Sequence, residues 1–265
     1  MSHMEMPRMA ILSLADQIIT ESTSGAVGRR IGGPNSGATQ ITAGLNTLAP
    51  AAIITYHSHP DAEIMHYVIE GDVEGVIDGH RVSLHAGDGA LAPVNVKHSF
   101  ENRSGAPAKF ITAGTTIGAA RIDHEPEPPS HGPLPNYVVF AEDVLPTYPW
   151  PGTERFDPMD ASFGSSTILF SKGVTAPGSI GPPHFHPETE EFMYCLEGEL
   201  MAMYNGEEFT LHAGDMLLAE PGAHHAIFNA SNKTATLIAI HPTTAPIREL
   251  VDWTPSKPLP AIPTD

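Results

Sequence analysis

His184-Phe185-His186 puts two imidazoles on one face of an extended segment, because side chains in a strand alternate with period two. Glu191 follows at the head of a second apolar run that ends at Gly198. His225 comes much later, after Gly214-Asp215 and Pro221-Gly222. Three imidazoles and a carboxylate brought to one point suit a divalent transition metal, and such a set leaves coordination positions open for a substrate or O2. We expect iron first, with manganese, nickel, copper and zinc as alternatives.

Short apolar or alternating runs separated by Gly, Pro, Asn and Asp must position these groups. Examples are 53–56, 63–70, 167–171, 192–197, 199–204 and 236–240. Asp78-Gly79 and Asn205-Gly206 sit between paired runs and favour type I′ hairpin turns. Helical periodicity is scarce, and Ile11–Ile19 is its best candidate. The class is all-β with few short helices. A repeat then decides the organisation. At an offset of 127, His57, His59, His98 and Asn102 fall on His184, His186, His225 and Asn229. Leu84-His85-Ala86-Gly87-Asp88 falls on an identical block at 211–215, and 18 of the 48 positions from 57 to 104 are identical without a gap. The expected layout is an arm over 1–29, a barrel over 30–120, a proline-rich connector over 121–159, a second barrel over 160–245 and a tail over 246–265.

The spacing of these residues resembles the cupin superfamily. Gly178, His184, His186, Glu191 and Gly198 match its first motif at every position. Gly214, Gly222, His225 and Asn229 match its second, with Glu220 standing where a proline belongs. The resemblance implies two tandem jelly-roll-type double-stranded β-helix barrels, a bicupin, with metal on His184, His186, Glu191 and His225 and with Glu191 as both ligand and catalytic base. Glu190 is the competing carboxylate, but Glu191 keeps the motif's distance to Gly198. The first barrel departs from the motif. His57, His59 and His98 are present, yet Ile64 occupies the glutamate position. Glu63 would face the other way in a regular strand unless a bulge returned it. His66 has the parity of Ile64 and is an alternative ligand or supporting group. The expected N-terminal site is His57, His59, Glu63 and His98, bearing metal or empty.

The remaining candidates have plainer readings. His85 and His212 are expected in turns, His124 and His131 exposed in the connector, and His224 on the face opposite His225. Cys195 shares the parity of Glu191 but reads as a small buried hydrophobe. Met193, Met201, Met203 and Met216 read as core or as an adaptable pocket. A formal net charge of −18, from 31 acidic and 13 basic residues, disfavours nucleic-acid and anionic-membrane partners. Met1-Ser2-His3-Met4 reads as a cloning remnant ahead of a start at Met4 or Met6. With one cysteine, no run of roughly 20 apolar residues and no secretory-type start, the expected location is cytoplasmic. By resemblance to quercetin-dioxygenase-like bicupins, the first functional expectation is an O2-dependent dioxygenase acting on a small aromatic or enolisable substrate, working as a homodimer. The alternatives are metal-dependent isomerase, cyclase, decarboxylase or lyase chemistry without O2, and a non-catalytic small-molecule-binding cupin.

Overall fold

Asp78 and Gly79 have φ of 50° and 76°, and Asn205 and Gly206 have φ of 50° and 89°, so both dipeptides make the tight turns their chemistry favours. These turns join antiparallel strands that build two barrels. The computed structural model describes residues 11–21, 25–128, 130 and 132–263. Among the described residues the only helical pieces are short 3-10 turns, such as Leu14–Asp16 and Ala161–Phe163. His131 and the first ten residues lie outside them.

Each barrel has two facing sheets. In the first barrel, His57 and His98 lie on the paired strands Ile53–Ser58 and His98–Glu101, while Ile64–Glu70 crosses the opposite sheet between Gly89–Ala92 and Ala108–Gly114. In the second, His184 pairs with His225 between His184–Phe185 and His225–Phe228. There Glu191–Glu197 lies in the opposite sheet between Met216–Ala219 and Ala235–His241. The two sheets of a barrel thus carry imidazoles on one wall and the 64/191 position on the other.

The backs of the two larger sheets pack on each other. Met65, Tyr67 and Ile111 share one apolar cluster with Phe170, Phe192 and Ile240. Consequently the first five residues of Ile64–Glu70 and of Glu191–Glu197 are buried on both faces, one towards a lumen and one towards the other barrel. Gly32 is a glycine because a Cβ there would lie 2.7 Å from the Phe192 ring.

The barrels also exchange strands. Ile11–Leu12 pairs with Met216–Ala219 of the second barrel, and Val138–Val139 pairs with Gly89–Ala92 of the first. The expected helix at 11–19 is therefore a strand, a 3-10 turn and the strand Ile18–Glu21. Edge pairing and the Gln17 Nε2–H bond to Gly214 O, at 2.6 Å, outweigh weak helical periodicity. The identical Leu-His-Ala-Gly-Asp blocks anchor this exchange. Asp215 Oδ1 accepts from Leu14 N–H at 3.0 Å, and Asp88 Oδ1 accepts from Ala141 N–H at 2.8 Å.

Candidate metal centres

In the second barrel the ligating atoms of His184, His186, Glu191 and His225 all lie within 4.8 Å of one another. Glu191 Oε2 is 2.8 Å from His225 Nε2, 3.0 Å from His186 Nε2 and 3.5 Å from His184 Nε2. Each imidazole is oriented from behind. The Nδ1 atoms of His184, His186 and His225 lie 2.8, 2.7 and 2.9 Å from the carbonyls of Pro182, Ile247 and Ala223. A carbonyl only accepts, so each Nδ1 carries the proton and each Nε2 presents a lone pair to the centre. Three imidazole lone pairs and a carboxylate facing one point repel unless a cation or protons lie between them. This donor set fits a divalent transition metal.

Burial opposes the charge on Glu191, but His241 and the close approach of His184, His186 and His225, each of which would be held there by the anion if protonated, keep the carboxyl well below its usual range. Burial also lowers His186, yet its bond to Glu191 outweighs that and raises it. Glu190, the competing carboxylate, points the other way and is fully buried at the seam between barrels. It accepts from Thr39 N–H, Thr39 Oγ1–H and Gln40 N–H at 2.6, 2.8 and 2.9 Å.

Glu63 does the same in reverse, and this corrects its placement in the N-terminal site. Ile64–Glu70 is regular at its start, pairing Ile64 with Ala92 and Met65 with Leu91, so no bulge returns Glu63 to the lumen. Its carboxylate accepts from the backbone and hydroxyls of the second barrel's Ser165, Ser166 and Thr167 at 2.7–3.2 Å. The first barrel keeps the other three. The ring centroids of His57, His59 and His98 are 5.1, 4.2 and 5.6 Å apart, against 4.9, 4.4 and 5.5 Å for His184, His186 and His225. Their Nδ1 atoms sit on the carbonyls of Thr55, Ala120 and Val96. Burial lowers His57 to about 4 and His98 to about 3, so both are neutral donors near neutrality. His66 adjoins His98, with ring centroids 5.1 Å apart, but stands outside the three-imidazole cluster.

The second barrel opens a cavity of about 360 Å3 onto its cluster. Leu169, Met193, Ile227 and Leu237 make it largely apolar, while Arg155, Arg248 and His241 add polar groups. Arg155 Nε–H is braced on Asp157 at 2.7 Å. His241 Nε2 lies 3.7 Å from Glu191 Oε1, its Nδ1 is buried without a partner, and burial lowers it to about 4. The sequence reading missed these three residues and the Ile247 carbonyl. Arg248 was legible, since it falls on Arg121 at the same offset of 127. His241 falls on Gly114, so the repeat is silent there. Cys195 sits in an apolar cluster, where burial pushes its thiol up to about 12, and Met203 and Met216 are core residues. Met193 faces the cavity. His224 stacks outward on Phe185, whereas His124 is half-buried rather than exposed because its Nε2 bonds Ser58 Oγ at 2.9 Å. Among the described residues no helix is long and apolar enough to cross a membrane.

A family model, the cupin domain of the Cupin_2 type, matches residues 44–114 and 173–241, just over half of the chain. The tetracenomycin polyketide synthase protein TcmJ of Streptomyces glaucescens is 32% identical over 112 residues, covering 42% of this chain and 75% of that protein. Among solved structures, the formate complex of Lactobacillus farciminis oxalate decarboxylase superposes with a TM-score of 0.76 at 16% identity, covering 91% of this chain and 88% of that one. A Bacillus subtilis oxalate decarboxylase structure, described for its Mn(II) centres, gives 0.74 at 16% identity over 91% and 79% of the two chains. At these identities the structural likeness speaks for the bicupin fold.

Proposed function

The chain belongs to the cupin family and carries the cupin domain twice, and from that premise we propose a metal-dependent enzyme working in the C-terminal barrel. Its substrate is a small, enolisable organic molecule that carries or develops negative charge beside a carbonyl. One observation carries this reading: a mostly apolar cavity brings two guanidinium groups, of Arg155 and Arg248, and the spare imidazole of His241 to the His184, His186, Glu191 and His225 cluster.

A divalent transition cation held by those four residues would act as a Lewis acid towards a substrate oxygen. The residues of the chain supply the rest. Leu169, Met193, Ile227 and Leu237 exclude water from an aromatic or alkyl body. Arg155 and Arg248 offer planar donors to a carboxylate, phenolate or enolate oxygen, and Asp157 fixes the first of them. His241 can accept a proton at Nδ1, the atom the fold leaves unpartnered. Glu191, held as a carboxylate, keeps the cluster's charge low and can act as base.

Charge-stabilising and proton-accepting groups together favour non-oxidative chemistry of the isomerase, cyclase or decarboxylase type. TcmJ, named as a polyketide synthase protein, and the oxalate decarboxylases support that direction. O2-dependent cleavage is the second reading. What favours it is the open side of a three-imidazole, one-carboxylate set facing apolar walls. Turnover of β-diketones, phenolic ketones and small keto acids, measured with Mn, Fe, Ni and Zn reconstitution in air and under strict anaerobiosis, decides between them. Turnover that persists without O2 supports the first reading, and turnover that stops supports the second. No turnover with any metal under either atmosphere would sink both.

A further inference from the structure

We propose that the C-terminal barrel takes an extended substrate: its reacting head enters the cavity at His184, His186, Glu191 and His225, while a flat aromatic body lies in a groove between the barrel and the chain's own C-terminal tail. For the head group this rests on the function proposed above; the groove is an independent observation.

The groove continues the cavity. Trp150, Gly181 and Pro182 line both, so the two hollows meet at that edge. A Cβ on Gly181 would lie 3.3 Å from the Trp150 ring, and glycine there lets the indole rest against the backbone. Pro182 O accepts from His184 Nδ1–H at 2.8 Å, so the shared rim also orients one member of the cluster. Beyond the rim the groove holds about 870 Å3, walled by Pro151, Pro183, Trp253, Pro255 and Leu259. That is room for a ring system. Proline rings and indoles are stiff and present flat apolar faces, the kind of surface on which an aromatic ring stacks with little loss of side-chain freedom. Both tryptophans of the chain stand here. Neither indole N–H has a partner among the described residues, which leaves two donors for oxygen substituents on the ring.

The tail that roofs the groove is fixed at several points. Val251 N–H donates to Pro183 O at 2.9 Å, and Glu208 accepts from Ser256 N–H and Oγ–H at 2.5 and 2.6 Å. The Pro260 carbonyl packs on Gly178, where a Cβ would come within 2.1 Å of it. Trp253 lies against Phe228, with ring centroids 5.5 Å apart, in an apolar cluster with Met203 and Ala226. Covering that sheet face accounts for the tail but not for the hollow. A tail that only covered would close on the barrel, because protein interiors leave few voids. The other barrel lacks such a face: at the offset of 127, Met201, Ala226 and Phe228 fall on Glu74, Ser99 and Glu101. The groove therefore belongs to the barrel that carries the three-imidazole, one-carboxylate cluster.

The test titrates the full-length protein with 4-biphenylcarboxylate and with benzoate, two probes that share a head and differ by one ring. Calorimetry gives the affinities, and a 15N-labelled sample gives the two indole N–H resonances, assigned with Trp253→Phe. Wild type is expected to bind the longer probe about tenfold or more tightly than benzoate. The longer probe should shift the Trp253 resonance, benzoate should leave it in place, and benzoate should compete with the longer probe. Trp253→Ala should remove most of the tenfold preference and keep the benzoate affinity. If that variant fails to fold, as judged by its melting curve, the wild-type resonances and competition decide alone. Equal affinity for the two probes would overturn the proposal, as would an unmoved Trp253 resonance or a longer probe that benzoate does not displace. A Trp253→Ala variant that weakened both probes alike would make the tail merely structural. These measurements need neither turnover nor added metal, so failure of the proposed reaction and failure of the groove are told apart.

Discussion

At the residue scale, the function proposed for the C-terminal centre gives cation holding and proton handling to different groups. Glu191 faces three Nε2 atoms at 2.8–3.5 Å, while His241 touches only the far oxygen of that carboxylate at 3.7 Å. Glu191→Gln keeps the shape but removes the anion. It should weaken cation binding at this centre by about a hundredfold or more, since even outer groups cost 10–100-fold; competition with a chelating dye measures it. His241→Asn should leave cation content intact and lower kcat by roughly 10²–10⁴, the range for a general acid–base group. Equal losses of metal and activity in that variant would make His241 part of the ligand set instead.

At the element scale, two adjacent carboxylates at the head of one strand do opposite jobs because alternation sends neighbours to opposite faces. Glu191 looks into its lumen and Glu190 into the seam; Ile64 and Glu63 repeat the arrangement, so the barrels hold each other by reciprocal carboxylate clasps. Glu190→Ala should lower stability by about 3 kcal/mol, since it leaves three donors at the seam unpaired. Chemical denaturation measures it. Glu63 adds a pH dependence. Burial raises its carboxyl, but bonds from Ser165, Ser166 and Thr167 prevail and hold it below its ordinary 4.5. Its contribution to stability is therefore complete above about pH 4.5 and is lost as pH falls through the lower folded value. Thermal melts from pH 6 to 3 should show a shallower acid decline in Glu63→Gln than in wild type.

At the scale of the whole molecule, strand exchange makes each barrel incomplete without the other half of the chain. Ile11–Leu12 covers the edge at Met216–Ala219, and Val138–Val139 covers the edge at Gly89–Ala92. An uncovered, fully apolar edge strand invites association with other chains. A fragment starting at residue 132 should therefore aggregate on size-exclusion chromatography, whereas the full chain should not. The shared cluster of Met65, Tyr67, Phe170 and Phe192 points the same way, because separating the barrels would expose it.

Internal repetition and local spacing determined much about this protein without any coordinates. The offset of 127 located both triads, the His-Phe-His alternation put two imidazoles on one face, and Asp-Gly and Asn-Gly fixed the hairpins, because period and turn chemistry are local properties of a chain. The preference for Glu191 over Glu190 came from the cupin motif's distance to Gly198, and Glu191 is the one that faces the three imidazoles. Tertiary structure decided what depends on residues far apart in sequence. It took Glu63 out of the first site and gave it to Ser165, Ser166 and Thr167, a hundred positions away. It turned the predicted helix at 11–19 into an edge strand for a sheet 200 residues downstream. It also brought His241 and Arg155 to the cavity with no motif to announce them, and joined to them Arg248, which the repeat pairs with Arg121. No local rule reaches such distances; burial and hydrogen-bond satisfaction in the assembled molecule set them.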